Sequence, residues 1–176
     1  MEDIVVTGVT LTKDEAKITI RDVPDRPGVA ATVFKAIAAA GISVDMIVQN
    51  VSHEGATDLS FTAPMADLSR LREVLQGIVN DIGAERFEID ERVAKVSLVG
   101  AGMKSYPGVA ADMFDALASE GINIEMISTS PIRISCVVRR QDGERALRSV
   151  HSRFGLDARP PAADTRVDGT DEMGDN

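Results

Sequence analysis

The sequence DRPG, residues 25–28, is the stretch of this chain whose residue types best suit ligand chemistry. A helical pattern begins directly after it, and the first amide groups of a helix have no intrahelical acceptor. These amides and the helix dipole favour a small carboxylate, and Gly28 lets a ligand approach the backbone closely. Asp25 lies beside the same amides and could hold an ammonium group. The turn therefore predicts a site for an α-amino acid, made by Asp25, Gly28 and the first amides of the helix, those of Val29, Ala30 and Ala31.

A side-chain amide lies at the far end of the strand that follows this helix. Gln49, with Asn50 next to it, could bind a hydroxyl or ammonium group of a ligand. The alternative is structural: Pro27 and Gly28 make a tight turn, and Asp25 caps the helix. The residue types of one turn do not decide between these interpretations. The two histidines have no cysteine or carboxylate partners at metal-ligand spacing, so we expect neither a metal site nor a cofactor.

The same turn, helix and strand occur twice in the chain. The stretch RPGVAATVFKAIAAAGISVDMI, residues 26–47, aligns with YPGVAADMFDALASEGINIEMI, residues 106–127, and more than half of the aligned residues are identical. Self-similarity of this extent indicates a duplicated structural unit. The stretches EAKITIRDV and VAKVSLVGA precede the two turns, and their alternation of apolar and polar residues is typical of half-buried strands.

Each copy continues with a further strand and a second amphipathic helix. The strands are DLSFTA and RISCVVR, and the helices are ADLSRLREVLQGIVNDIG and DGERALRSVHSRF. Apolar residues recur at helical spacing on one face of each helix, and Gly41 and Gly121 suit the ends of the two earlier helices. The first copy closes with the strand AERFEIDE, residues 84–91. Its order of elements is therefore βαββαβ, and the second copy follows the same plan. This order predicts an α+β fold of two tandem ferredoxin-like units.

The second copy is one strand short. After its last helix only a proline-containing segment follows, and such a segment makes a poor central strand. The strand-like segment DIVVTGVTLTKD, residues 3–14, has no place in the first copy, so we expect it to complete the second sheet, with the first unit inserted in the second. The expected divisions are residues 1–14 for the crossing strand, 15–91 and 92–159 for the two units, and 160–176 for a disordered acidic tail.

The charge and composition of the chain argue against several partners and locations. Its formal net charge is −9, whereas nucleic acids and anionic membranes require a basic surface. RNA-binding modules of this topology stack bases on sheet aromatics, but only 3% of the residues here are aromatic. No apolar run approaches the roughly 20 residues of a membrane span. The N-terminal sequence is acidic, unlike a signal peptide, and the one cysteine, Cys136, cannot form an internal disulfide, so we expect a cytoplasmic protein.

Four longer motifs resemble a known family. They are VTGVTLTKDEAKITI, DRPGVAATVFKAIAAAGISVDMIVQN, KVSLVGAGMKSYPGVAADMF and INIEMISTSPIRIS, within a resemblance that spans residues 6 to about 155. The sequence resembles the ACT-domain regulatory region of aspartate kinase, and more closely the separate regulatory β subunit of the actinobacterial α2β2 enzymes. This resemblance implies two tandem ACT domains, the first inserted in the second. That arrangement agrees with the crossing strand inferred above.

The resemblance also implies regulation without catalysis. In this family, phosphoryl transfer from ATP to aspartate takes place on a kinase domain with a KFGGTS-like motif, which this sequence lacks, so we expect no enzymatic activity from the chain on its own. Regulatory chains form homodimers through their ACT domains and assemble with the catalytic α subunit. Threonine and lysine bind at the ACT–ACT interfaces in concert and confer feedback inhibition on the biosynthesis of lysine, threonine and methionine.

Site residues follow from the resemblance as expectations. Threonine would contact Asp25, Gln49 and the turn amides of Gly28, Val29 and Ala30. A facing chain would add Asn123 and Ile124. A second, pseudo-equivalent site would use a strand segment and the second turn, namely Val44, Asp45, Ser105, Pro107, Gly108 and Val109. The second turn has Ser105 where the first has Asp25, so it lacks the carboxylate that could pair with an ammonium group.

Two alternative functions remain open at the level of the sequence. The chain could be a stand-alone ACT amino-acid sensor that controls another protein. It could also be the C-terminal regulatory part of a single-chain aspartate kinase. An in-frame kinase domain upstream would distinguish these alternatives.

Overall fold

The structure is a computed structural model that describes residues 5–50, 54–101, 103 and 106–158. Its strands are β1 (Val5–Thr12), β2 (Glu15–Pro24), β3 (Ile47–Gln49), β4 (Ala56–Pro64), β5 (Arg86–Asp90), β6 (Val93–Ala101), β7 (Met126–Ser130) and β8 (Arg133–Arg139). Its α-helices are α1 (Val29–Ala39), α2 (Leu68–Ile82), α3 (Gly108–Ser119) and α4 (Gly143–Arg153). None of the helices within these ranges is long and apolar enough to cross a membrane. The predicted acidic tail, residues 160–176, lies outside the described residues.

The strands form two antiparallel sheets with equivalent topologies. Their orders are β3-β4-β2-β5 and β1-β6-β8-β7. The first strand of the chain, β1, pairs with β6 and therefore belongs to the second sheet. This pairing confirms the predicted fold, two ferredoxin-like units of which the first is inserted in the second. The division of the chain at particular residues stays a prediction.

Two helices cover one face of each sheet. In the first unit, apolar residues of β2 and β4 pack against α1 and α2, and Ile18, Phe61, Val33 and Leu71 are fully buried there. The second unit repeats this core with Leu98, Cys136, Met113, Leu117 and Val150. Both α1 and α3 are followed by a glycine of positive φ, Gly41 and Gly121, which ends the helix as its sequence indicates.

The opposite faces of the two sheets meet each other. Met46, Val93, Met126 and Val137 are buried in a small apolar cluster between the units. Ion pairs surround this cluster: Lys17 with Glu125 at 3.0 Å, and Arg139 with both Asp90 and Glu125 at 2.7 Å. Lys95 of β6 is only 7% exposed and bonds to Glu15 and Asp45 of the first unit. The two units therefore share a mixed apolar and ionic interface.

Candidate functional site

A bulge in β2 determines where the first turn lies. The pairing of β2 with β4 shifts between Ile20 and Val23, and Asp22 has a φ of 52°. The Asp22 amide donates to Asp58 Oδ1 at 3.1 Å, and the Arg21 guanidinium binds Asp58 at 2.5 Å. Although partial burial opposes it, these hydrogen bonds hold the pKa of Asp58 below its usual value. The bulge thereby redirects the end of β2 toward the start of α1.

The turn between β2 and α1 leaves amide groups available. The Asp25 amide donates to the Gly55 carbonyl at 2.9 Å, which ties the turn to the start of β4. Gly28 is the N-cap residue, with a φ of 94° that disfavours residues with a Cβ. The amide of Val29 has only a long bond of 3.5 Å, to the Arg26 carbonyl. Within the described residues, the Asp25 side chain does not cap α1, so its exposed carboxylate stays available to a ligand.

Strand register places Gln49 next to this turn. Gln49 pairs with Leu59 of β4, and the Leu59 side chain is buried on the face that α1 covers. Because paired residues share a face of the sheet, Gln49 stands on the same side as the start of α1. One cavity of about 340 Å³, here called the Asp25 cavity, is lined by Asp25, Gly28, Val29, Ala30 and Gln49, together with Arg26, Val23, Pro24, Pro27 and Leu59. The structure thus brings together the predicted residues of the first turn.

The cavity offers groups that suit both a negative and a positive charge on a ligand. The start of α1 offers amide donors and the positive end of the helix dipole, which suit a carboxylate. Asp25 supplies a negative charge, and Gln49 can both donate and accept hydrogen bonds. Asp25, Arg26 and Gln49 are all exposed, so the cavity is open to solvent on its polar side. A small molecule with neighbouring carboxylate and ammonium groups would match these charges.

Asn123 and Ile124 lie elsewhere in the chain's own fold. They precede β7, Asn123 is exposed, and Ile124 lines a different cavity with Lys17, Val48 and Glu125. Neither residue lines the Asp25 cavity of the same chain. Their predicted role depends on a facing chain and stays a prediction.

The second turn makes a cavity of different character. About 430 Å³ is enclosed by Met103, Tyr106, Pro107, Ala110, Thr129, Ser130, Pro131 and Ile134. The described lining residues carry no charged group. Gly108 is the exposed first residue of α3, and Val109 is buried in the core beneath it. Ser105 lies outside the described residues. The second copy thus keeps the cavity but not the acid and the arginine of the first.

Val44 and Asp45 are not brought to this second cavity. Val44 packs against the first core, and the Asp45 carboxylate bonds to Lys95 of the same chain. Asp45 lines a separate cavity of about 230 Å³ with residues of the β7–β8 hairpin, among them Thr129 and Arg133. The residues predicted for a second site therefore lie on different parts of one chain.

Sequence reasoning missed several residues that line these cavities, among them Arg26 and Thr129. Arg26 lines the first one beside Asp25. Thr129 lines the second one at the position that corresponds to Gln49. The internal alignment contained the signal for Thr129, because Ile47 aligns with Ile127 and the offset continues by two residues.

Comparisons with known proteins identify both units. ACT domain families match residues 18–79 and residues 96–154. A solved structure of aspartokinase alpha and beta subunits is 47% identical, with a TM-score of 0.79 over 85% of this chain and 99% of that one. The ligand-free regulatory subunit of aspartate kinase from Thermus thermophilus is 45% identical, with a TM-score of 0.81 over 85% and 98%. The chain belongs to the aspartate kinase regulatory-subunit family.

Longer members of the aspartate kinase group contain a similar region. An aspartate kinase of Stutzerimonas stutzeri (strain A1501) is 50% identical over 165 residues, which are 94% of this chain and 40% of that protein. The chain thus spans about 40% of the length of the curated relatives it matches. In this pair of ACT domains, the Asp25 cavity belongs to the first domain, and the apolar cavity beside α3 belongs to the second.

Proposed function

We propose that this chain is a non-catalytic regulatory chain of aspartate kinase that binds threonine in the Asp25 cavity. The observation that supports this proposal most directly is that Asp25, the first amides of α1 and Gln49 line one cavity. Threonine presents a carboxylate for the amides, an ammonium group for Asp25 and a hydroxyl group for Gln49. Leu59 and Val23 supply an apolar wall for its methyl group.

A homodimer would complete the site. The polar side of the cavity is open, and Asn123 and Ile124 of the partner subunit would cover the ligand through backbone groups. Two exposed isoleucines support an interface on the edge strands, because Ile47 of β3 is 46% exposed and Ile127 of β7 is 41% exposed. Large apolar side chains at equivalent edge positions suit a symmetric contact between two copies.

Lysine would act at the second, pseudo-equivalent position. There the turn at Pro107, Gly108 and Val109 of one chain would face Val44 and Asp45 of the partner subunit. Because Asp45 is held by Lys95 within its own chain, lysine binding at this position would require the carboxylate to be shared or released. This requirement supports threonine as the stronger ligand of the chain by itself.

Feedback inhibition would follow from the coupling between ligand binding and the arrangement of the ACT dimer. A ligand that binds one arrangement of the ACT dimer more tightly shifts the population toward that arrangement. If the same arrangement holds the catalytic α subunit in a less active state, threonine inhibits phosphoryl transfer at a distance, and lysine adds to the shift. The kinase chemistry itself would reside on the catalytic α subunit, with which this chain would assemble as the separate subunits of its family relatives do.

Threonine binding to the purified chain tests the proposal. We expect threonine at a hundredfold excess over its dissociation constant to raise the free energy of unfolding by about 2.7 kcal/mol. Sedimentation should show a tighter dimer with threonine than without it. Asp25→Asn and Gln49→Ala should each weaken threonine binding about tenfold or more in calorimetry. Asp25→Asn removes the negative charge that pairs with the ammonium group, and Gln49→Ala removes a hydrogen bond to the hydroxyl group.

Matched controls on α2 separate the site from general effects. Asp81→Asn and Gln76→Ala make the same chemical changes at exposed positions outside the cavity, and they should leave binding unchanged. With the catalytic α subunit added, the two site variants should resist threonine inhibition while keeping kinase activity. If both variants bound threonine like the unmodified chain, the site assignment would be wrong.

A further inference from the structure

A cavity lined by four cationic side chains lies at the other end of β2 from the Asp25 cavity. This cavity, here called the basic cavity, has a volume of about 810 Å³. Its lining residues are Lys13, Arg92, Arg139, Arg140, Gln141 and Glu144. Strand β2 has 10 residues, so the two cavities are separated by roughly 30 Å at about 3.3 Å per residue. Four cationic side chains thus converge in a protein whose net charge is −9.

The basic cavity is built where connections between the two ACT domains meet. Lys13 lies between β1 and β2, Arg92 lies between β5 and β6, and Arg140 follows β8. The start of α4 borders the cavity through Glu144. Gly143 lets α4 pack closely on β6 and β1, because a Cβ there would lie 3.1 Å from both Ala94 Cβ and Leu11 Cδ1. The positive end of the α4 dipole adds to the charge of the side chains.

Two of the four cations already have close carboxylate partners. Lys13 Nζ is 2.6 Å from Glu144 Oε1, and Arg139 is 2.7 Å from both Asp90 and Glu125. These pairs keep the walls of the basic cavity in place. They also leave Lys13 and Arg139 with less capacity for a ligand.

The guanidinium groups of Arg92 and Arg140 retain unused donors. The Arg92 side chain is 86% exposed, and its nearest carboxylate oxygen, on Asp90, is 3.9 Å away. Arg140 donates to the Lys13 carbonyl at 2.8 Å, and in the part of the chain that the structure describes it has no carboxylate within salt-bridge distance. Each guanidinium carries five N–H donors in a planar fork that matches phosphate oxygens.

We propose that the basic cavity binds a phosphate-bearing anion of the size of a triphosphate group or a nucleoside triphosphate, held chiefly by Arg92 and Arg140. A single phosphate is small for this volume, since ligand cavities of about 300–1,000 Å³ hold drug-sized molecules. Charge-assisted, bidentate hydrogen bonds from two arginines favour phosphate over neutral ligands. This inference does not depend on the proposed threonine site, which lies at the other end of β2.

Calorimetry with two probes tests the inference. The full chain, without amino acids, is titrated with tripolyphosphate and with ATP at low ionic strength. We expect binding that weakens as salt rises, because exposed charge interactions are screened. Similar affinities for the two probes would assign the site to the triphosphate group, and tighter ATP binding would add contacts to the nucleoside; both results support the inference.

Paired variants give the decisive comparison. Arg92→Gln with Arg140→Gln should weaken tripolyphosphate binding by about tenfold or more, because the principal donors are lost. Arg72→Gln with Lys35→Gln removes the same charge from exposed positions on α2 and α1, and it should leave binding unchanged. Equal losses in both pairs would overturn the inference in favour of a diffuse charge effect. It would also be overturned if neither probe bound at about 1 mM.

Discussion

At the scale of the residue, Gly28 and Gly108 show how the two copies diverge. They are aligned in the repeat, but Gly28 is an N-cap residue with a φ of 94°, whereas Gly108 is the first residue of α3 and has no positive φ. A Cβ at either position would meet nothing within 4 Å. Any difference in stability between alanine substitutions at these two positions therefore reflects the backbone conformation and not side-chain packing.

Gly28→Ala should destabilise the chain by about 1–2 kcal/mol, because an L residue resists this conformation. Gly108→Ala should be neutral or stabilising by up to about 1 kcal/mol, since alanine favours a helix. Urea denaturation of both variants measures the two values. Equal effects would mean that the positive φ of Gly28 is not maintained in solution.

Cys136 gives a prediction about pH. Burial raises the pKa of its thiol to about 12, while an unfolded chain has a cysteine pKa near 8.5. Above that lower value the unfolded state loses a proton that the folded state keeps, so stability falls as pH rises toward the folded pKa. Between about pH 8 and about pH 10 the unmodified chain should lose about 2 kcal/mol more than Cys136→Ala.

Denaturation at the two pH values checks this difference. Cys136→Ala leaves a small cavity and starts from lower stability, so the change with pH is compared and not the absolute value. Other ionisable groups contribute equally to both proteins. An identical pH dependence in the two proteins would show that the thiol becomes accessible without unfolding.

At the scale of the element, the contact between β6 and the segment before β3 joins the two ACT domains. Lys95 on β6 bonds to Glu15 at the start of β2 and to Asp45, which precedes β3. The other end of β3 carries Gln49 of the Asp25 cavity. A short strand therefore lies between the interdomain ion pairs and the proposed threonine site.

Lys95→Met should destabilise the chain by about 1–3 kcal/mol, because it leaves the partly buried carboxylate of Glu15 without its partner. Adding Glu15→Gln should recover part of this loss, as a double-mutant cycle would show. Lys13→Met removes an exposed ion pair and should cost less than about 1 kcal/mol. If the two lysine variants were equally stable in urea denaturation, the buried network would contribute no more than a surface pair.

At the scale of the whole molecule, the second ACT domain depends on the beginning of the chain. Strand β1 pairs with β6 from Val5 to Thr12, and Val6 is buried in the second core. The connections on either side of the inserted domain pass close to each other at the basic cavity, through Lys13 and Arg92. The two domains are therefore linked by two crossings of the chain as well as by their interface.

Deleting residues 1–12 should unfold the second domain before the first. Strand β6 would become the edge strand of the second sheet, with the side that faced β1 left unpaired, and the second core would lose Val6. The first sheet keeps all its strands. Hydrogen exchange should show lost protection in β6 and β8 and retained protection in β2 and β4. Deleting only residues 1–4, which precede β1, is the matched control and should preserve protection in both sheets. Uniform loss of protection in the longer deletion would mean that the domains fold only together.

The sequence alone determined the duplicated fold and the residue types of the first turn. Helical spacing, strand alternation and the repeat are local patterns, and they were sufficient to predict both ferredoxin-like units and the crossing strand. The turn chemistry was also local, since Asp25, Gly28 and the start of α1 are adjacent in the chain. The shared cavity of these residues with Gln49 agrees with that prediction, while its ligand stays a proposal.

Only the tertiary structure decided which distant residues meet. The bulge at Asp22 depends on Asp58 across the sheet, and the partner of Asp45 is Lys95, fifty residues away in the chain. The basic cavity joins Lys13, Arg92 and Arg140, which no short motif connects. Periodicity defines which face a residue occupies, but strand register and the packing of one domain on the other determine its neighbours on that face.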